Sequence, residues 1–119
     1  MQISAKLRKV ICSVPDQGFG LAYWCQGCES AHIVWTKRPT RPCWTWDGNK
    51  EKPTFTPSVL VTMTSDDPEI PSERCHTFIR AGMVEFLTDC THKYAGQTLP
   101  LPDWPYEDGT YGGVEPLPE

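Results

Sequence analysis

Nowhere does this chain of 119 residues hold an apolar run approaching the ~18 residues of a membrane span. Its start, from Met1 to Val10, lacks the uninterrupted hydrophobic stretch of a signal peptide. A membrane-embedded helix is excluded on this basis, and a cytoplasmic protein is expected. Positive charge is sparse as well. The net charge is −4, and basic residues group only at Lys6-Leu7-Arg8-Lys9 and at Lys37-Arg38 with Arg41. A strong phosphate-binding face and sequence-specific DNA recognition are therefore not expected. There are three histidines, and neither His-Glu-X-X-His nor a deaminase-type His-X-Glu pairing occurs, which removes two zinc-hydrolase signatures. Long helices are excluded by the 12 prolines and 9 glycines spread along the chain.

What is present describes one small domain over residues 1–119, mainly β and antiparallel, closing in a proline-rich extended tail over 99–119. Lys6 to Ser13 reads as a first strand, ended by Pro15-Asp16-Gln17-Gly18. Aromatic and β-branched runs at Phe19–Cys25 and 31–36 form a hairpin around a cysteine turn. The four prolines between Lys37 and Pro57 confine strands there to short or edge segments. Trp44-Thr45-Trp46 is one such strand, with both indoles on one face and plugging a thin core. Ser58 to Thr64 reads as a buried strand and Asp66 to Ser72 as an exposed acidic loop. A hairpin pairs 75–80 with 83–88 around Ala81-Gly82, with Arg80 facing Met83. Asp89 caps a short helical turn through Tyr94, and Gly96 lies just past its end.

The strongest signal is Cys25-Gln26-Gly27-Cys28, a knuckle that presents two thiolates to one ion, matched downstream by Cys75-His76 and Cys90-Thr91-His92. A domain of this size gains from a metal staple, and Zn2+ suits a closed set of sulfur and imidazole donors. In the hairpin register Cys75 shares a face with Thr88, their α-carbons about 5 Å apart, while His76 lies on the opposite face with Leu87. Cys75 is thus preferred over His76 as the third ligand. Geometry leaves the fourth open between Cys90 and His92, with His76 and Cys90 as substitute ligands or supporting groups. Cys12 and Cys43 read as buried apolar residues and His32 as a surface strand residue.

Successive blocks of the chain, Trp24-Cys25-Gln26-Gly27-Cys28, Trp44-Thr45-Trp46-Asp47-Gly48, Lys52-Pro53-Thr54-Phe55-Thr56-Pro57-Ser58, Cys75-His76-Thr77-Phe78-Ile79-Arg80-Ala81-Gly82 and Phe86 to Thr98, resemble a small phage and prophage family of unknown function. Its members often carry the label "ammonia monooxygenase". That label conflicts with the chemistry, since such an oxygenase is a membrane-bound copper enzyme. The resemblance implies a phage or prophage origin, a bacterial host cytoplasm or a virion as location, zinc as the ion, and His92 as the fourth ligand beside Cys25, Cys28 and Cys75.

The function expected on these grounds is a non-catalytic, zinc-stapled module for protein interaction or phage assembly, with a protein partner and with neither nucleic acid nor membrane. Two alternatives compete with it. A zinc-dependent hydrolase would hold a water at an open coordination position, with Asp89 or Glu85 as base and His76 as acid. A single-stranded nucleic-acid binder would use the Trp44 and Trp46 face with Arg38, Arg41 and Lys50.

Overall fold

A computed structural model describes residues 2–11, 18–39, 42–64 and 66–106. Among them the fold is all β, with eight strands and no helix. Strands β1 (Arg8–Ile11), β2 (Phe19–Cys25) and β3 (Ser30–Thr36) form one antiparallel sheet. Strands β4 (Thr45–Trp46), β5 (Phe55–Met63), β6 (Glu73–Arg80), β7 (Met83–Phe86) and β8 (Thr98–Pro100) form a second, in chain order and also antiparallel. A bridge between Thr36 and Trp44 links the two sheets.

Both hairpins follow from local chemistry. In the β2–β3 pair Cys25 faces Ser30 across the knuckle, and Glu29 takes a left-handed φ of 53° to close the turn. In the β6–β7 pair Arg80 faces Met83 as the sequence predicts. Ala81 and Gly82 there have φ of 49° and 76°, the positive values that a tight hairpin turn with the strands' right-handed twist demands. Gly82 suits this position doubly, since a Cβ would come within 2.9 Å of the Lys52 Cα.

One core holds the sheets together. Leu21, Tyr23, Cys25 and Val34 meet Phe55, Val59, Ile79, Val84 and Phe86 there, and Tyr23 stacks on Phe55 at 5.8 Å between centroids. Trp44 and Trp46 pack partly buried against this core, in the plugging role expected of them. The small sheet's other face is also covered. Val10, Ala22 and Trp104 form a satellite cluster with Trp24, Ile33 and Trp35 around them. The segment expected to run as a tail thus begins as β8, and Leu101 and Trp104 behind it are buried.

Strand β5 differs from its expected character. It begins three residues earlier, at Phe55, and carries Pro57 inside it through a register irregularity between Phe55 and Val59. Such an irregularity tolerates a residue with no N–H to give. It is also buried on one side only: Val59 is inside, whereas Leu60 and Met63 are 54% and 57% exposed. The run Val-Leu-Val-Thr-Met looks continuously apolar, yet the outer face of the large sheet is open to solvent. The helical turn expected after Asp89 is a chain of hydrogen-bonded turns, Cys90 N–H to the Leu87 carbonyl and Ala95 N–H to the His92 carbonyl, closed by Gly96 at φ 79°. Cys12, Arg41 and the turn at Pro15-Asp16-Gln17 lie outside the described residues.

Two candidate sites on opposite faces of strand β6

Period-2 alternation along β6 sends Cys75, Thr77 and Ile79 inward, where all three are buried, and His76, Phe78 and Arg80 outward. Adjacent residues Cys75 and His76 therefore belong to two different side-chain clusters, one on each face.

On the inner face the thiols converge. The Sγ atoms of Cys25 and Cys75 lie 3.8 Å apart, and the Cys28 N–H donates to the Cys25 sulfur at 3.4 Å. Donor atoms of Cys25, Cys28, His32 and Cys75 all lie within 4.8 Å of one another, and so do those of Cys75, Cys90 and His92. This spacing admits a metal ion. The His92 Nε2 is 3.4 Å from the Cys75 sulfur, and its ring covers Gly27 so closely that a Cβ there would stand 2.5 Å from Nε2. Glycine is required in the knuckle by this approach of the imidazole.

His32 is not at the surface as its sequence context suggests. It is 8% exposed, packs edge-on against Tyr23, and its Nε2 has no hydrogen-bond partner among the described residues. Hydrogen bonds from Cys28 and Cys75 hold the Cys25 thiol well below its ordinary range, whereas Cys28 is pushed up to about 12 and Cys75 is also raised, chiefly by their contacts with Cys25. Without a cation the cluster thus favours one thiolate over three, and a bound cation would reverse that balance.

On the outer face a second set of residues converges, which no spacing in the sequence joins. The Ser58 Oγ lies 3.1 Å from the His76 Nε2, and the His76 Nδ1 lies 3.2 Å from the Asp89 Oδ2. A carboxylate can only accept, so in the neutral ring Nδ1 carries the proton and Nε2 is left to accept from the serine hydroxyl. This is the connectivity of a serine nucleophile, a general base and an orienting carboxylate.

The fold produces it by register. His76 pairs with Leu60 across β5, so Ser58 lies diagonally beside it on the same face. The register irregularity of β5 falls between Phe55 and Val59, directly before the pairing resumes. On the other side the Trp44 indole N–H donates to the Ser58 carbonyl at 3.3 Å. Asp89 is brought over His76 by the turn that follows β7. Its side chain is 41% exposed, and the Arg74 guanidinium lies 3.9 Å from the same Oδ2. An open groove of about 490 Å³ runs past His76 and Asp89, bordered by Glu85, Leu87, Thr88 and Thr98.

The sequence offers His76 as acid and Asp89 or Glu85 as base, in the alternative reading of a metal hydrolase. Ser58 is not singled out there, because no nucleophile-elbow motif surrounds it. The available signal was the alternation that puts Ser58, Leu60, His76 and Phe78 on one solvent-facing surface.

A family model described as "Bacterial ubiquitination-like system serine protease (BubE)" matches residues 2–87. The match contains Ser58, His76, Cys25, Cys28 and Cys75 and ends two residues before Asp89. No curated protein and no solved structure matches the chain. The expectation of a non-catalytic phage structural or assembly module is overturned by this match, since the family is described as a protease of a bacterial system. That expectation rests on a metal knuckle without a second cluster of reactive side chains, and the outer face of β6 brings Ser58, His76 and Asp89 into contact.

Proposed function

Because the chain belongs to the bacterial ubiquitination-like system serine protease (BubE) family, we propose that it cleaves peptide or isopeptide bonds with Ser58 as nucleophile, His76 as general base and Asp89 as the group that orients the imidazole. The observation that carries this reading is the continuous contact from Ser58 Oγ through both ring nitrogens of His76 to Asp89 Oδ2, at 3.1 and 3.2 Å. As the hydroxyl oxygen attacks the substrate carbonyl carbon, its proton passes to Nε2, and Asp89 stabilises the imidazolium that results. When the carbon–nitrogen bond breaks, the same proton goes to the departing amine and an acyl ester remains on Ser58. A water then gives its proton to Nε2 and its hydroxide to the acyl carbon, which releases the acid and restores Ser58. The groove lined by His76 and Asp89, which Ser58 adjoins through its contact with His76, offers room for part of a substrate chain.

Behind this site we assign Zn2+ to Cys25, Cys28, Cys75 and His92, in a structural role. A tetrahedral ion with zinc–sulfur bonds of about 2.3 Å has ligand–ligand edges of about 3.8 Å. The Cys25–Cys75 and Cys75–His92 separations of 3.8 and 3.4 Å suit such edges. His32 is the competing nitrogen donor: it is buried, unpartnered at Nε2, and grouped within 4.8 Å with the donor atoms of Cys25, Cys28 and Cys75, whereas His92 is grouped so only with Cys75 and Cys90. Four protein ligands leave no open position for a reacting water, and chemistry is assigned to the serine on the other face.

The test is reaction of the purified protein with a fluorophosphonate probe, followed by peptide mapping. Modification at Ser58, abolished in Ser58→Ala and strongly reduced in His76→Ala, supports the proposal. A protein that cleaves substrate equally well as Ser58→Ala refutes it. Metal analysis of His92→Ala beside His32→Ala decides the nitrogen ligand.

A further inference from the structure

Beyond Phe86 the partner strand of β6 stops running straight, and three residues take over its hydrogen bonding. The Leu87 N–H donates to the His76 carbonyl at 2.9 Å, and the Thr91 N–H donates to the Arg74 carbonyl at 2.9 Å. Between them stands Cys90. Its sulfur accepts from the His76 N–H at 3.3 Å, and its thiol donates to the His76 carbonyl at 3.3 Å. Thr91 repeats the pattern one step on: its hydroxyl accepts from the Arg74 N–H at 3.0 Å and donates to the Arg74 carbonyl at 3.3 Å. With Leu87 and Cys90 both tied to His76, Thr88 and Asp89 are forced to loop outward. Asp89, covalently attached to Cys90, then stands over the His76 ring.

Resting on the triad reading above, we propose that Cys90 is a positioning residue that grips the backbone of the base His76 and sets the distance between its imidazole and Asp89. Cys90 is 8% exposed, and its sulfur replaces the backbone acceptor that a continuing strand would have offered the His76 N–H, while its thiol adds a second donor to the carbonyl that Leu87 already serves. Few other side chains can do this. The position needs a short group that both donates and accepts, which cysteine and serine are and alanine is not. The grip also spans both faces of β6, because the sulfur lies within 4.8 Å of the donor atoms of Cys75 and His92. A rival role as a metal ligand is therefore built into the geometry, and the two roles separate on substitution. A ligand thiolate is not replaced by a hydroxyl at a zinc–sulfur site, whereas a hydrogen-bonding grip is.

The experiment compares wild type, Cys90→Ser, Cys90→Ala and Ser58→Ala. It measures the saturating rate and half-saturation concentration of fluorophosphonate labelling, together with bound zinc and thermal midpoint. Cys90→Ala should keep its zinc and its half-saturation concentration while the saturating rate falls on the order of 10²-fold, the scale of an ångström-sized misplacement. Cys90→Ser should keep zinc and label within about threefold of wild type. Wild-type labelling in Cys90→Ala would overturn the proposal, as would zinc loss in both variants. If the alanine variant does not fold, the serine variant alone decides: a folded, zinc-replete Cys90→Ser that labels 10²-fold more slowly refutes the grip. Labelling of Ser58→Ala at the wild-type rate would instead sink the triad itself, whatever Cys90 does.

Discussion

Replacing Asp89 by asparagine tests how much the third residue of the outer-face constellation contributes. The substitution keeps the shape, but it removes the charge that faces the imidazolium and offers an amide where His76 Nδ1–H needs an acceptor. Two unit charges about 4 Å apart attract by about 1 kcal/mol in water and by about 4 kcal/mol at an effective dielectric of 20. The carboxylate is 41% exposed and lies within 3.9 Å of the Arg74 guanidinium, so solvent and a competing cation both weaken its pull. About 1.5–3 kcal/mol is the range this environment supports. At about 1.4 kcal/mol per tenfold change, kcat should fall roughly 10- to 10²-fold, with KM little altered. A buried orienting carboxylate would give a larger loss, of about 10⁴-fold. The assay is steady-state cleavage of a fluorogenic peptide or, equivalently, fluorophosphonate labelling, at fixed ionic strength. Removing Arg74 as Arg74→Ala should leave the rate within a fewfold of wild type. A loss below twofold in Asp89→Asn would show that the 3.2 Å contact does not serve the base, and a loss confined to KM would move Asp89 to substrate binding.

Other outcomes follow from the inner face and the core. In Gly27→Ala the new Cβ would stand 2.5 Å from the His92 Nε2, so the ring must retreat by about 1 Å; zinc affinity measured by chelator competition should drop at least 10–100-fold, as when a ligand loses its orientation. Removing zinc, by a chelator or by Cys25→Ser, should lower the thermal midpoint and slow labelling of Ser58 together; a metal-free protein with an unchanged midpoint would argue against a structural ion. Phe86 is 1% exposed and packs edge-on against His92 at 4.9 Å, so Phe86→Ala should cost about 3–5 kcal/mol in denaturant unfolding and weaken zinc retention as well.

Much of the scaffold was legible because it depends on short-range chemistry. Alternating apolar residues, turn residues at Ala81-Gly82 and the Cys-X-X-Cys knuckle each act over a few residues, and β2, β3 and the turn end of the β6–β7 hairpin stand where those signals put them, whereas β7 ends at Phe86 and does not carry the pairing on to Cys75 and Thr88. The hairpin count also separated Cys75 from His76 correctly, since alternation across a strand is a property of the backbone alone. Less was readable where two elements compete for one role. The apolar letters of β5 could not tell a strand buried on both faces from one buried on a single face, and that difference leaves Ser58 beside solvent. His32 likewise became buried only through packing against Tyr23 and the knuckle.

By itself the sequence determined an all-β domain with a Cys-X-X-Cys knuckle matched by a distant cysteine, because propensity, turn chemistry and ligand spacing are local. Only the tertiary structure decided that two side-chain clusters, one of thiols and imidazoles and one of Ser58, His76 and Asp89, lie back to back on one strand. Ser58, His76 and Asp89 come from β5, β6 and the turn after β7, and a register between strands, not a spacing along the chain, brings three such residues within hydrogen-bond reach.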